Sequence, residues 1–129
     1  MANNKGMYVD GFVLVVPKKN YSAYKKMAEE GAKFWKKCGA LEYRECVGDD
    51  MNPNMGGEKF LTFPKLTKLK KGEVVWYSFI TYKSRAHRDL VNKKVMKEMD
   101  KQKDKYKDFK MPFDVKRMSY GGFRVVVNG

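Results

Sequence analysis

Glu73-Val74-Val75-Trp76-Tyr77-Ser78-Phe79-Ile80-Thr81-Tyr82 follows directly on Lys71-Gly72, and its reading decides the fold. β-Branched and aromatic residues crowd it, so it predicts a strand. Alternation sets Trp76 and Ile80 on one face and Val75, Tyr77 and Phe79 on the other, which leaves neither face polar. A second stretch of the same kind runs from Met7 to Pro17 and ends on a residue that cannot donate to a ladder. It divides Tyr8, Phe12, Leu14 and Val16 from Met7, Val9, Val13 and Val15. Two strands with two apolar faces need cover on both sides.

Working outward, Tyr21 to Cys38 repeats apolar residues at helical spacing (Tyr21, Tyr24, Ala28, Trp35, Cys38) with lysines over much of the rest, and Gly39 supplies the stop. Ala40 to Val47 alternates and predicts a strand. Gly48 to Gly57 is rich in Asp, Asn, Pro and Gly and predicts a loop, while Phe60 to Leu69 shows no clean period and is expected to be irregular. Ser84 offers an N-cap oxygen to a second helix whose apolar arc is Ala86, Leu90, Val91, Val95 and Met99. That helix is expected to fray into the charged stretch Asp100 to Lys110. Lys116 to Val127 predicts the last strand, weakened by Gly121-Gly122, a pair associated with a bulge or a close backbone approach.

The order β-α-β-β-α-β predicts an α+β, ferredoxin-like βαββαβ sandwich with a four-stranded antiparallel sheet and both helices on one face. The helix-free face is too apolar to be left to water, and the simplest cover is a second copy. A homodimer through the sheet faces is therefore expected.

With 129 residues, 43% of them hydrophobic, the chain suits one domain over residues 7–127, with 1–6 as a flexible N-terminal segment. Cys38 and Cys46 have no CxxC spacing, so reduced thiols in a cytoplasmic protein are expected, and no stretch is long and apolar enough to span a membrane. The 28 Lys and Arg against 15 Asp and Glu give a net charge of +13. Such a field attracts polyanions, although lysines on solvated helix faces produce the same excess.

His87, the single histidine, falls within the expected inward arc of the second helix, where an imidazole can act as a base or anchor a ligand. No second metal ligand stands at helical spacing from it, so neither metal nor cofactor is called for. Asp10 interrupts an apolar strand and needs a partner, with Arg85, Arg88 and Arg117 as candidates. Tyr43 and Tyr120, with Trp76 and Tyr77, can line an aromatic cavity. Glu42, Arg44 and Glu45 can be pocket residues or strand-edge charges and are read as the latter, and Cys46 is read as packing. The candidate pocket is thus His87, Asp10, Arg85, Tyr43 and Tyr120, lying between the second helix and the sheet or inside a dimer.

Several blocks of the chain are similar to one bacterial family: Tyr8-Val9-Asp10-Gly11-Phe12-Val13, Gly39 through Asp50, Ser84-Arg85-Ala86-His87-Arg88-Asp89, and Met111-Pro112-Phe113-Asp114 through Phe123. On these the chain resembles the YbaA-like proteins, whose function is unknown. The resemblance implies the dimeric α/β-barrel superfamily, which contains small monooxygenases, heme-degrading enzymes, stress-response proteins and small-molecule sensors. The chain departs from the family pattern in a longer loop at Met51 to Leu61, at Val115 for a usual glycine, and at Arg124 for a usual acid. A fold of this kind does not specify an activity. Three functions compete: binding or transforming a small molecule, binding nucleic acid or another polyanion, and a ligand-free structural or stress-response dimer. The nucleic-acid reading lacks its footprint, because Val74 to Phe79 carries no [KR]-G-[FY]-[GA]-[FY] core.

Overall fold

In the computed structural model, which describes residues 7–129, the chain runs β1 (Tyr8–Pro17), α1 (Tyr21–Lys37), β2 (Glu42–Val47), α2 (Phe63–Leu66), β3 (Glu73–Tyr82), α3 (Arg85–Lys101), α4 (Lys103–Tyr106) and β4 (Ser119–Arg124). Short 3₁₀ turns occupy Lys18–Asn20 and Val115–Arg117. The strands form one antiparallel sheet in the order β2-β3-β1-β4, an α+β arrangement compatible with the ferredoxin-like pattern. The expected flexible segment, 1–6, lies outside the described residues.

β1 and β3 pair along their full length, from Tyr8 opposite Tyr82 to Pro17 opposite Glu73. Their even-numbered side chains face the helices. Tyr8, Ile80 and Tyr82 pack with Cys38, Ala40, Val91 and Val95, while Leu14, Val16 and Trp76 pack with Tyr24, Ala28 and Phe113. These two clusters form the core. The odd-numbered positions, Val9, Val13, Tyr77 and Phe79, lie on the opposite face with Phe123, and Tyr77 and Phe123 remain 46% and 62% exposed.

Four local expectations are corrected. Pro64 does not prevent a helix at Phe63, because it sits in the first turn, where its missing N–H has no partner to lose, and Thr62 caps the turn through Lys65 N. The last strand is shorter than Lys116 to Val127, since Val115–Arg117 coil into a 3₁₀ turn and pairing stops at Arg124. Its glycine pair forms no bulge: Gly121 stands opposite Gly11 and Gly122 opposite Asp10 in unbroken register. On α3 the buried apolar positions are Val91 and Val95, whereas Leu90 and Met99 are 50% and 40% exposed and Ala86 is also outside. The helix is turned so that Arg88, Val91, Asn92 and Val95 meet the sheet and α1. A charged requirement at Asp10 fixes that rotation more strongly than the apolar arc does.

Candidate functional site

β1 carries Asp10 to the helix-facing side of the sheet, where the residue is 1% exposed. Of the three arginines considered for it, Arg88 is the partner: its Nη1 donates to Asp10 Oδ1 at 2.6 Å, and its Nε donates to Asp89 at 2.7 Å. The same guanidinium lies 5.0 Å from the Tyr8 ring centre and 3.3 Å from the Tyr120 hydroxyl. Tyr120 in turn stacks on Phe12 at 4.6 Å. Burial pushes the Asp10 carboxyl above its ordinary range, and Arg88 pulls it back. Tyr82, fully buried beside Asp10, has a hydroxyl that completes no hydrogen bond among the described residues. Asp10, Arg88, Tyr120 and Tyr82 therefore form one cluster.

His87 stands next to that cluster and does a backbone task. Its ring meets Tyr82 edge-on at 5.9 Å, its Nδ1 accepts from Lys83 N at 3.0 Å, and its own N–H donates to Ser84 Oγ. Both bonds satisfy donors at the start of α3 that have no intrahelical acceptor. With Nδ1 accepting, the neutral ring carries its proton on Nε2, which faces Gly39. Arg85 is exposed in the first turn of α3 and makes no part of either arrangement. Arg117 belongs elsewhere, in a pair with Glu73 at 2.5 Å.

Tyr43 leads to a second group. Tyr24 on α1 donates to Glu45 Oε1 and Tyr43 donates to Glu45 Oε2, both at 2.8 Å. Glu45 is no strand-edge charge: it shares the helix-facing parity of Tyr43 and Val47, opposite Ser78. Burial raises its carboxyl above the ordinary range, and the hydrogen bonds from Tyr43 and Tyr24 act against that rise. The inward parity of an acidic residue was the signal that should have marked it. Beside it opens a cavity of about 290 Å³ between α1 and the β2-β3 edge, walled by Tyr21, Ala28, Ala32, Tyr43, Val47 and Trp76, with exposed Lys25 and Glu29 at its rim. The Trp76 ring lies 4.7 Å from Tyr24 and 5.5 Å from Tyr21, and its buried indole N–H has no acceptor among the described residues. Of the four aromatics considered as cavity residues, Tyr43 and Trp76 line this one and Tyr77 and Tyr120 do not, while Glu45 reads in the sequence as a strand-edge charge. Cys46, expected to pack, is exposed on the helix-free face.

Among the described residues, no cluster of three or more His, Cys, Asp or Glu side chains is arranged to hold a metal ion. No described helix is long and apolar enough to cross a membrane.

The family model for a protein of unknown function, DUF1428, matches residues 7–115. The chain belongs to the DUF1428 family. Within it, the chain is 38% identical over 123 residues to the uncharacterized protein YbaA of Escherichia coli K12, covering 94% of this chain and 97% of that protein. The YbaA of Shigella flexneri matches to the same extent. The DUF1428 match runs from β1 to the start of the 3₁₀ turn that precedes β4, and so takes in the Glu45 cluster and, of the Asp10 cluster, Asp10, Tyr82 and Arg88 but not Tyr120. Family membership assigns neither cluster a reaction.

Proposed function

We propose that this DUF1428 protein is a cytoplasmic homodimer, built as a dimeric α/β barrel, that binds or transforms a small molecule. The observation that carries the ligand reading is the cavity under α1, where an acid held between two tyrosine hydroxyls stands against aromatic and alanine walls. Ligand sites have this make-up: mostly apolar lining and a few convergent polar groups. The Asp10 group is better suited to holding α3 on the sheet, since its own arginine already fills it. Two unpaired thiols, one buried and one exposed, agree with a reducing compartment.

A thermal-shift screen of metabolites tests the ligand reading. Compounds that stabilise the protein are expected to lose most of their effect in Ala32→Leu, which enlarges a side chain on the cavity wall and leaves the Glu45 carboxyl in the chain. Hits that raise the melting temperature of both proteins equally would place the ligand elsewhere. For assembly, sedimentation velocity at micromolar concentration is expected to give a two-chain particle, and Phe79→Lys to give one chain. A stable interface needs about 800 Å² from each partner, and we assign it to the helix-free sheet face that carries Val9, Val13, Tyr77, Phe79 and Phe123. A monomeric wild type would refute the homodimer.

A further inference from the structure

Three carboxylates are drawn in from solvent along this sheet, and two have a cation. Asp10 has Arg88 at 2.6 Å and Glu73 has Arg117 at 2.5 Å. Glu45 has none: its hydrogen bonds come from the neutral hydroxyls of Tyr24 and Tyr43, and no Lys, Arg or His nitrogen among the described residues lies within 4 Å of it. It is also the one of the three beside the cavity described above. Glu45 is partly buried, and a carboxylate drawn that far from water without a counter-charge is an unusual arrangement, because burial is costly unless the charge is paired.

On the basis of the small-molecule reading, we infer that the missing counter-charge is the ligand, a small organic ammonium ion whose head sits against Glu45 and whose apolar body lies along Tyr21, Trp76, Ala28 and Ala32. The walls suit such a head as well as such a body, since an ammonium is attracted to the faces of Trp and Tyr rings within about 6 Å. Glu29 at the rim adds a second carboxylate, and Lys25 is the single cationic side chain lining the cavity. A hard metal ion is a poorer match, because it asks for six or more oxygens, the cavity lining offers two carboxylates, and among the described residues no cluster of three or more His, Cys, Asp or Glu is arranged to hold one. An anion would meet two acids. The overall +13 opposes an incoming cation only at a distance, as salt screens such fields within roughly 10 Å, and the two local carboxylates act at contact.

Titration of the full chain with 2-phenylethylammonium, 2-phenylethanol and 3-phenylpropionate, followed by thermal shift and amide NMR, tests this. The ammonium is expected to bind at the cavity at least about tenfold more tightly than the alcohol, a difference of about 1.4 kcal/mol, and the carboxylate not to bind. Glu45→Gln should remove the preference and Lys25→Met should leave or strengthen it. Affinity for the ammonium should also fall on acidification, as Glu45 takes up a proton among Tyr24, Tyr43, Ser78, Lys25 and Glu29. That pH response carries the test if Glu45→Gln does not fold. Equal or tighter binding of the alcohol or the carboxylate, lost in Ala32→Leu, would overturn the ammonium and keep the pocket. No response to any of the three, with none from the metabolite screen, would overturn both.

Discussion

Arg88→Met is expected to lower the unfolding free energy by about 3–5 kcal/mol at pH 7, the cost of leaving a buried charge without its partner. Methionine keeps the apolar stem, so the loss reports the guanidinium and its four contacts: Asp10 at 2.6 Å, Asp89 at 2.7 Å, the Tyr8 ring at 5.0 Å and the Tyr120 hydroxyl at 3.3 Å. Asp10 has nowhere to turn, since it is 1% exposed and held in β1 between Ile80 and Gly122 of the neighbouring strands. The opposite variant, Asp10→Asn, should cost less, about 1–3 kcal/mol, because Arg88 keeps Asp89 at 2.7 Å and a side chain that is 13% exposed. Urea unfolding of both proteins measures the difference. An equal or larger loss in Asp10→Asn would show that the pair is not asymmetric in this way.

The pH dependence follows from the same pair. In the unfolded chain Asp10 titrates near 3.8, while in the fold burial raises it and Arg88 opposes that rise. Removing Arg88 raises the folded value further, so the folded variant binds a proton that the unfolded chain has already lost. Its stability therefore falls as pH climbs above the unfolded value and recovers as pH drops towards it. The deficit of Arg88→Met against wild type should narrow between pH 7 and pH 4. A deficit that widens on acidification would assign the loss to packing instead of charge.

How far the sequence could be read depends on whether the deciding interactions were local. β3 and α1 were legible because composition and period act within each stretch, and Gly39 marks its helix end by a φ of +117° that side chains resist. The rotation of α3 was not, since it answers to Asp10, 78 residues away along the chain. Leu90 and Met99 satisfied the helical period as well as Val91 and Val95 did, and nothing local separates the two sets. His87 was placed on the right helix, but its ring meets Tyr82 and its bonds go to the turn that starts that helix, not to the residues grouped with it in the candidate pocket. The cavity depends on Tyr24 reaching Glu45 across 21 residues, so only the inward parity of Glu45 was available beforehand. Both faces of β1 and β3 were correctly read as apolar, and the helix-facing one is the core.

Gly122→Ala is expected to cost about 1–3 kcal/mol although the strand pairing at that position is regular and no unusual backbone angle is needed. The obstacle is Tyr8, 7% exposed, whose ring crosses the space a methyl would take: a Cβ on Gly122 would lie 2.6 Å from Cε2 and 2.8 Å from Cζ, with the hydroxyl nearer still. Tyr8 cannot swing aside freely, because Arg88 lies over its ring and the Ile80, Tyr82, Val91 and Val95 cluster packs around it. Gly121 gives the control, since its Cβ would meet nothing closer than Phe123 Cε1 at 3.8 Å. Gly121→Ala should be neutral or stabilise by up to about 1 kcal/mol through the unfolded chain. In a Tyr8→Leu background, which removes the ring atoms at issue, Gly122→Ala should lose most of its cost, and the coupling in that double-mutant cycle is the measurement. Additive effects would mean that the glycine is required by something other than Tyr8. Because Tyr8 also carries Arg88, an alanine at 122 should weaken the Asp10 pair as well, and Arg88→Met should then cost less in that background than in wild type.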